Sequence, residues 1–164
     1  MNQPGNIYYT INGITPTATS NKYTGYITIT KTTTLKFIAI NQSGQKSIIY
    51  NETYKIDKIA PGIIYTSPRN GATNIPRKGT VSIKFSENIV PTLNWSRIYV
   101  KNLKTGKLDT ITKTVTNNTL NLKTSSSRTG NNWYIVYIPS SSVKDAAGNK
   151  LSKAYTFKFR TGSQ

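Results

Sequence analysis

Ile56-Asp57-Lys58-Ile59-Ala60-Pro61 stands between two runs of short strand-like segments whose turn signals differ, and it reads as a domain joint. Upstream, Glu52 to Ile56 is a closing strand. Downstream, Pro61 has no N–H for a ladder and biases Ala60 away from helix, and Ser67-Pro68-Arg69-Asn70-Gly71 supplies Pro and Gly for a turn. The expected division is 1–58 and 59–164. A chain of 164 residues accommodates two such modules, the smaller of them marginal alone.

Working outward from the joint, no segment carries apolar residues at helical spacing over the ten or more positions a helix needs. Tyr, Thr, Ile, Val and Phe dominate, separated by Asn, Ser and Gly, so the chain is predicted to be all-β. In the first half Ile7, Tyr9 and Ile11 alternate with Tyr8 and Thr10, which is the period of a half-buried strand. Pro4-Gly5-Asn6 is read as a turn leading into it, and Asn12-Gly13 as the turn after it. Ile27-Thr28-Ile29 is expected to be a strand. Leu35, Phe37 and Ala39 alternate with Lys36 and Ile38, Gln42 to Gln45 turns, and Ser47 to Ile56 follows. Three or four strands in a small sandwich account for this half.

The second half alternates more cleanly. Val81, Ile83 and Phe85 face one way, against Thr80, Ser82 and Lys84; Tyr155, Phe157 and Phe159 do the same against Thr156, Lys158 and Arg160. Ile98 to Leu103 and Leu108 to Val115 are joined across Lys104-Thr105-Gly106-Lys107, and Asn117-Asn118 leads on to Leu120 and Leu122. Trp133 to Ile138 is apolar on both faces and is expected to be a central strand. Trp133 and Trp95 are both expected in the core.

Two resemblances follow from these residues. Ile7-Tyr8-Tyr9-Thr10-Ile11-Asn12-Gly13-Ile14-Thr15-Pro16-Thr17, with Lys22-Tyr23-Thr24, Thr33-Thr34-Leu35-Lys36 and Tyr54, resembles the chitobiase/β-hexosaminidase C-terminal type of Ig-like module. That family usually has Asp where this chain has Asn12, and an additional strand before the Ile-Tyr-Tyr-Thr motif. The resemblance implies an accessory module without catalytic residues, here without its opening strand. Ser67 to Pro76, Val81 to Glu87, Val143 to Leu151 and Tyr155 to Phe159 together resemble the bacterial and archaeal Ig-like repeats of surface proteins, including S-layer proteins. With Ile98 to Leu103, the combination is most similar to adhesin-like surface proteins of methanogenic archaea. The implied architecture is two tandem Ig-like β-sandwich domains.

The formal charge is +17, from 22 Lys and Arg against 5 acids. The basic residues are scattered, mostly alternating with apolar ones, as Lys84, Lys101, Lys113, Lys158 and Arg160 are. That is the pattern of a solvated strand face more than of a dedicated anion-binding surface. No cluster of basic and aromatic residues marks a nucleic-acid site, so the expectation is weak, salt-sensitive DNA binding at most and no specific nucleic-acid partner. No apolar stretch is long enough to span a bilayer, so no membrane insertion is expected within this segment.

Cysteine and histidine are absent, which removes thiol and imidazole nucleophiles, triads and soft-metal sites. Glu52, Asp57, Glu87, Asp109 and Asp145 are separated by turns and by the joint, so no carboxylate pair for acid–base work is legible. No enzymatic activity is expected. Asp145 and Asn149 could offer oxygens to calcium, helped by Glu87, but calcium takes six to eight oxygens. A tight turn with Gly148 left-handed and Asp145 on local N–H groups is the favoured reading. Otherwise no cofactor is expected.

Tyr8, Tyr23 and Tyr26 are candidate sugar-stacking residues, against the commoner reading of exposed strand tyrosines. Asn41, Asn51, Asn94 and Asn117 lie in N-x-Ser/Thr sequons, meaningful if the chain is exported. The sequence therefore points to a non-catalytic stalk, spacer or adhesion segment at the cell envelope. Its expected partners are a wall polymer or another surface protein, with homodimerisation through the incomplete first module a further expectation. The alternative is a carbohydrate-binding module appended to a wall-active enzyme.

Overall fold

Alternation of apolar and polar residues becomes strand after strand in the computed structural model, which describes residues 5–163. The chain divides into two units, Met1–Asp57 and Lys58–Gln164.

In the first unit, β1 (Gly5–Thr10), β2 (Asn21–Lys22), β3 (Thr33–Asn41) and β4 (Tyr50–Tyr54) form one antiparallel sheet in the order β2-β1-β3-β4. Gly5 and Asn6, expected in a turn, already belong to β1, while Pro4 lies outside the described residues. A Cβ on Gly5 would stand 2.7 Å from the Ile40 carbonyl oxygen, so this end of the ladder takes glycine. The hairpin between β3 and β4 turns at Gly44, φ 79°, whose N–H donates to the Asn41 carbonyl at 3.0 Å. Ile27-Thr28-Ile29, expected to be a strand, is irregular. Its β-branched composition favours a pleat only where a neighbouring edge supplies ladder bonds, and among the described residues none pairs with it.

The two faces of this sheet are unequal in an unexpected sense. Ile7, Tyr9, Leu35 and Phe37 share one face, and Tyr23 and Ile27 join them around a shallow apolar cleft of about 180 Å³. This face is open, with Ile7, Tyr23, Tyr50 and Tyr54 all exposed. The opposite face carries Tyr8, Lys36 and Ile38, and Ile38, 2% exposed, is the one large apolar side chain buried among the described residues of this unit.

The second unit packs two sheets over a continuous core. One sheet orders β5 (Ile63–Ser67), β6 (Thr80–Phe85), β10 (Thr119–Thr124) and β9 (Ile111–Thr116) as β5-β6-β10-β9. The other orders β13 (Tyr155–Arg160), β11 (Trp133–Ile138) and β8 (Tyr99–Asn102) as β13-β11-β8. A further two-stranded ladder pairs β7 (Val90–Pro91) with β12 (Val143–Lys144). Val81, Ile83, Phe85, Leu120 and Leu122 face Val100, Tyr134, Val136, Ile138, Phe157 and Phe159 in the core. The turn at Lys104 to Lys107 carries the chain from one sheet to the other, and Asn117, φ 53°, makes the tight β9–β10 hairpin.

β11 is central in its sheet, as its two-faced apolar pattern predicts. Its register, however, sets Tyr134, Val136 and Ile138 inward, so Trp133 lies on the outer face with the Lys158 ammonium 5.1 Å from its ring centroid. Trp133 is thus not a core residue. Trp95, in a short 3-10 turn (Leu93–Arg97), does pack against the core.

The Ser67-to-Pro76 stretch has a clear structural use. Gly71 N–H donates to the Lys158 carbonyl at 2.7 Å, Arg160 N–H to the Ala72 carbonyl at 2.8 Å, and Ile75 N–H to the Arg160 carbonyl at 3.0 Å. The loop thereby satisfies the outer edge of β13, which would otherwise present an unpaired ladder.

Candidate functional site

The Asp145 loop is built as a turn. Asp145, almost fully buried, follows the short β12, and the chain reverses through Gly148 at φ 97°. Asn149 donates its backbone N–H to one carboxylate oxygen of Asp145 and its side-chain amide to the other, each at 2.8 Å. Burial alone would raise the Asp145 pKa. The Asn149 side chain and the backbone N–H groups of Asn149, Gly148 and Ala147 outweigh it and hold the carboxyl below its ordinary value.

Glu87 does approach, with a carboxylate oxygen within 4.8 Å of one of Asp145. Asn149, expected to offer an oxygen, instead turns its amide nitrogen toward Asp145. The hydrogen bonds from Asn149 to both Asp145 oxygens account for the loop's geometry as a turn.

The three candidate tyrosines are not brought together. Tyr23 lines the apolar cleft beside Ile7 and Tyr9, Tyr8 points to the opposite face of β1, and Tyr26 is fully exposed. The aromatics that do gather are Tyr9, Tyr23 and Phe37, with Tyr50 stacked on Phe37 at a centroid distance of 5.2 Å and an interplanar angle of 13°. The register Tyr9↔Phe37↔Tyr50 sets three rings in one row across adjacent strands. Sequence reasoning passed over Tyr9, Phe37 and Tyr50, although alternation with Tyr8 and Lys36 placed them on one face. On that face the paired positions of β1, β3 and β4 include no lysine, since Lys22 and Lys36 project from the other side.

The sequons sort by geometry. Asn41 exchanges two side-chain hydrogen bonds with Gln45, and Asn94 donates its amide to the Ser140 carbonyl at 3.3 Å. Asn51 and Asn117 are exposed, in β4 and at the β9–β10 turn. These two present their amides to solvent.

The remaining ionised groups of the second unit with shifted pKa values serve structure. Asp109 is raised by burial, partly offset by its hydrogen bond to and attraction by Arg128. Lys113 is lowered by burial and donates to the Trp95 and Ser96 carbonyls, each at 2.9 Å. Among the described residues no helix is long and apolar enough to cross a membrane.

Residues 57–161 match the family model of the bacterial Ig-like domain. The chain belongs to this family. The bacterial Ig-like domain thus comprises the two-sheet unit and the β13-edge loop, and residues 1–51 match the chitobiase/beta-hexosaminidase C-terminal domain. A search of curated proteins finds no match to the chain. Domains of both families are typically accessory, non-catalytic modules, and their pairing here points to an extracellular module. The Ig-like domain keeps its buried polar groups mostly for its own hydrogen bonds, whereas the preceding unit leaves an aromatic face open.

Proposed function

We propose that this chain is a tandem segment of a large adhesin-like protein at the cell envelope, in which the Ig-like domain is a spacer and the first unit carries the contact face. The observation that carries this reading is the open apolar face of the first unit: exposed Ile7 and Tyr23 beside half-buried Tyr9, Leu35 and Phe37 around one cleft, with no lysine at its paired positions in a chain of charge +17. A sheet is stable when its apolar face is covered, and a face whose one charge at the paired positions is Glu52, opposite Leu35, suits another surface protein better than an anionic polymer. A second copy of the chain is one such protein. The test is retention on purified cell envelopes at low and physiological salt. Retention at both salts that is lost on Phe37→Ser supports the contact face. Retention that vanishes with salt leaves a spacer with a nonspecific positive charge.

The second reading, an accessory carbohydrate-binding module, is favoured by the gathering of Tyr9, Tyr23, Phe37 and Tyr50. Against it, Phe37 and Tyr50 lie face to face and offer edges rather than ring faces to a sugar above them. Saturable binding of a neutral wall oligosaccharide, abolished by Tyr23→Ala, would establish it over the protein-contact reading.

A further inference from the structure

β12 and the segment after it set two cations side by side. Lys144 pairs with Val90 of β7 on one side and, through an isolated antiparallel bridge, stands directly opposite Lys150 on the other. Side chains directly opposite in such a pair share a face with Cβ atoms about 5 Å apart, and like charges placed so destabilise one another. No ion pair among the described residues engages either lysine. Asp145, next in sequence, points to the other face, where Asn149 holds its carboxylate.

Both lysines line a groove of about 520 Å³, together with Pro91, Thr92, Leu93, Asn94 and Ser141. Its walls are tied to each other. Thr92 N–H donates to the Ser142 carbonyl at 3.1 Å, Ser141 N–H to the Leu151 carbonyl at 2.8 Å, and the Thr92 hydroxyl to the Ser141 carbonyl. The groove is therefore formed before anything enters it. Leu93 is 99% exposed at its rim, an apolar side chain held in water with nothing packed on it.

We propose that this groove binds an oxyanion carried on a glycan. One carboxylate or phosphate bridges the Lys144 and Lys150 ammonium groups and relieves their repulsion. The sugar hydroxyls meet Thr92, Asn94 and Ser141, and a sugar ring's apolar side rests on Pro91 and Leu93. A nucleic acid is disfavoured because the groove has no aromatic ring on which a base would stack. This inference concerns the second unit and stands apart from the contact face of the first.

The test is a titration of the isotope-labelled full chain, followed by amide NMR in about 0.15 M salt. The probes are an oligogalacturonate, a glycerol-phosphate oligomer, a neutral oligosaccharide of equal length and a short DNA duplex. The expected result is saturable shifts confined to residues 90–94, 141–144 and 149–151 with one of the two anionic oligomers, which also tells carboxylate from phosphate. Lys144→Gln with Lys150→Gln should weaken binding about tenfold, while Lys84→Gln with Lys123→Gln, on the outer face of β6 and β10, leaves it unchanged. All four lysines are on the surface, so neither double variant endangers folding. Shifts spread over lysines everywhere, equal losses in both variants, equally tight DNA binding, or no saturable binding of either anionic oligomer would overturn the proposal. Groove binding alongside failed envelope retention would overturn only the contact-face reading.

Discussion

Arg128 and Asp109 form a buried ion pair, Nε to carboxylate oxygen 2.7 Å, with the arginine side chain 1% exposed. The guanidinium also donates through Nη1 to the Gly79 carbonyl at 3.1 Å and lies 5.8 Å and 5.4 Å from the ring centroids of Tyr134 and Phe159. Among the described residues its Nη2 has no hydrogen-bond partner, and Asp109 is the group that neutralises it. Removing one member of such a pair strands a buried charge, at a cost of about 3 kcal/mol or more. Asp109→Ala is expected to destabilise the Ig-like domain by about that amount. Both tryptophans belong to this domain, so urea unfolding followed by tryptophan fluorescence reads it alone. A change under about 1 kcal/mol would mean that Asp109 does not neutralise a buried charge.

Tyr134 and Tyr137 sit three residues apart in β11 and are expected to respond oppositely to loss of the hydroxyl. The Tyr134 oxygen accepts from Thr129 N–H at 2.8 Å and from the buried Asn102 amide at 3.0 Å. Tyr137 packs at a tilt against Tyr99 on the outer face, ring centroids 5.1 Å apart. Tyr134→Phe leaves two donors without their acceptor and should cost about 2 kcal/mol. Tyr137→Phe should stay within about 0.5 kcal/mol of the parent. The same fluorescence titration separates them, and equal effects would refute the network.

The open face of the first unit predicts an inverted mutational pattern. Ile38→Ala empties the buried side of the sheet and should cost about 3 kcal/mol, enough to unfold a unit this small. Ile7→Ser, on the exposed side, should cost well under about 1 kcal/mol. Amide NMR of residues 5–54 is the readout, because this unit has no tryptophan. If Ile7→Ser unfolds the unit while Ile38→Ala does not, the faces have been assigned backwards.

Where the sequence succeeded and failed has a common physical cause. Val81, Ile83 and Phe85 alternate with Thr, Ser and Lys, so a single period assigns strand and buried face together. In β3 both phases contain apolar residues: Leu35, Phe37 and Ala39 in one, Ile38 in the other. Alternation identified the strand, but which face is covered depends on what packs there, and no local pattern records that. Trp133 misled in the same way, since a strand apolar on both sides hides its register. Arg128 had no signal at all in Ser-Ser-Arg-Thr-Gly, because its partner Asp109 and the Gly79 carbonyl come from distant turns. The Asp145-to-Asn149 loop, by contrast, was legible as a turn because its bonds are local.

That local loop and the buried ion pair make opposite demands as pH falls. The Asp145 carboxyl is depressed in the folded protein, so the stability it contributes is complete above the unfolded value of about 3.9 and is lost as pH falls through the lower folded value. Asp109 is raised by burial, so the folded protein takes up its proton first, and acidification through that raised value relieves the cost of the buried carboxylate while the neutral acid keeps an oxygen to accept from Arg128 Nε, the contact that Asp109→Ala deletes. In the parent the two trends offset each other on the acid side. Asp145→Asn should lower stability at neutral pH and, with its own loss removed, leave a domain that gains stability as Asp109 takes up its proton. Asp109→Asn should do the reverse and lose stability monotonically toward acid. Urea midpoints measured by tryptophan fluorescence from neutral pH to about pH 2 give both slopes, and identical acid profiles in the two variants would overturn the assignment of either carboxyl.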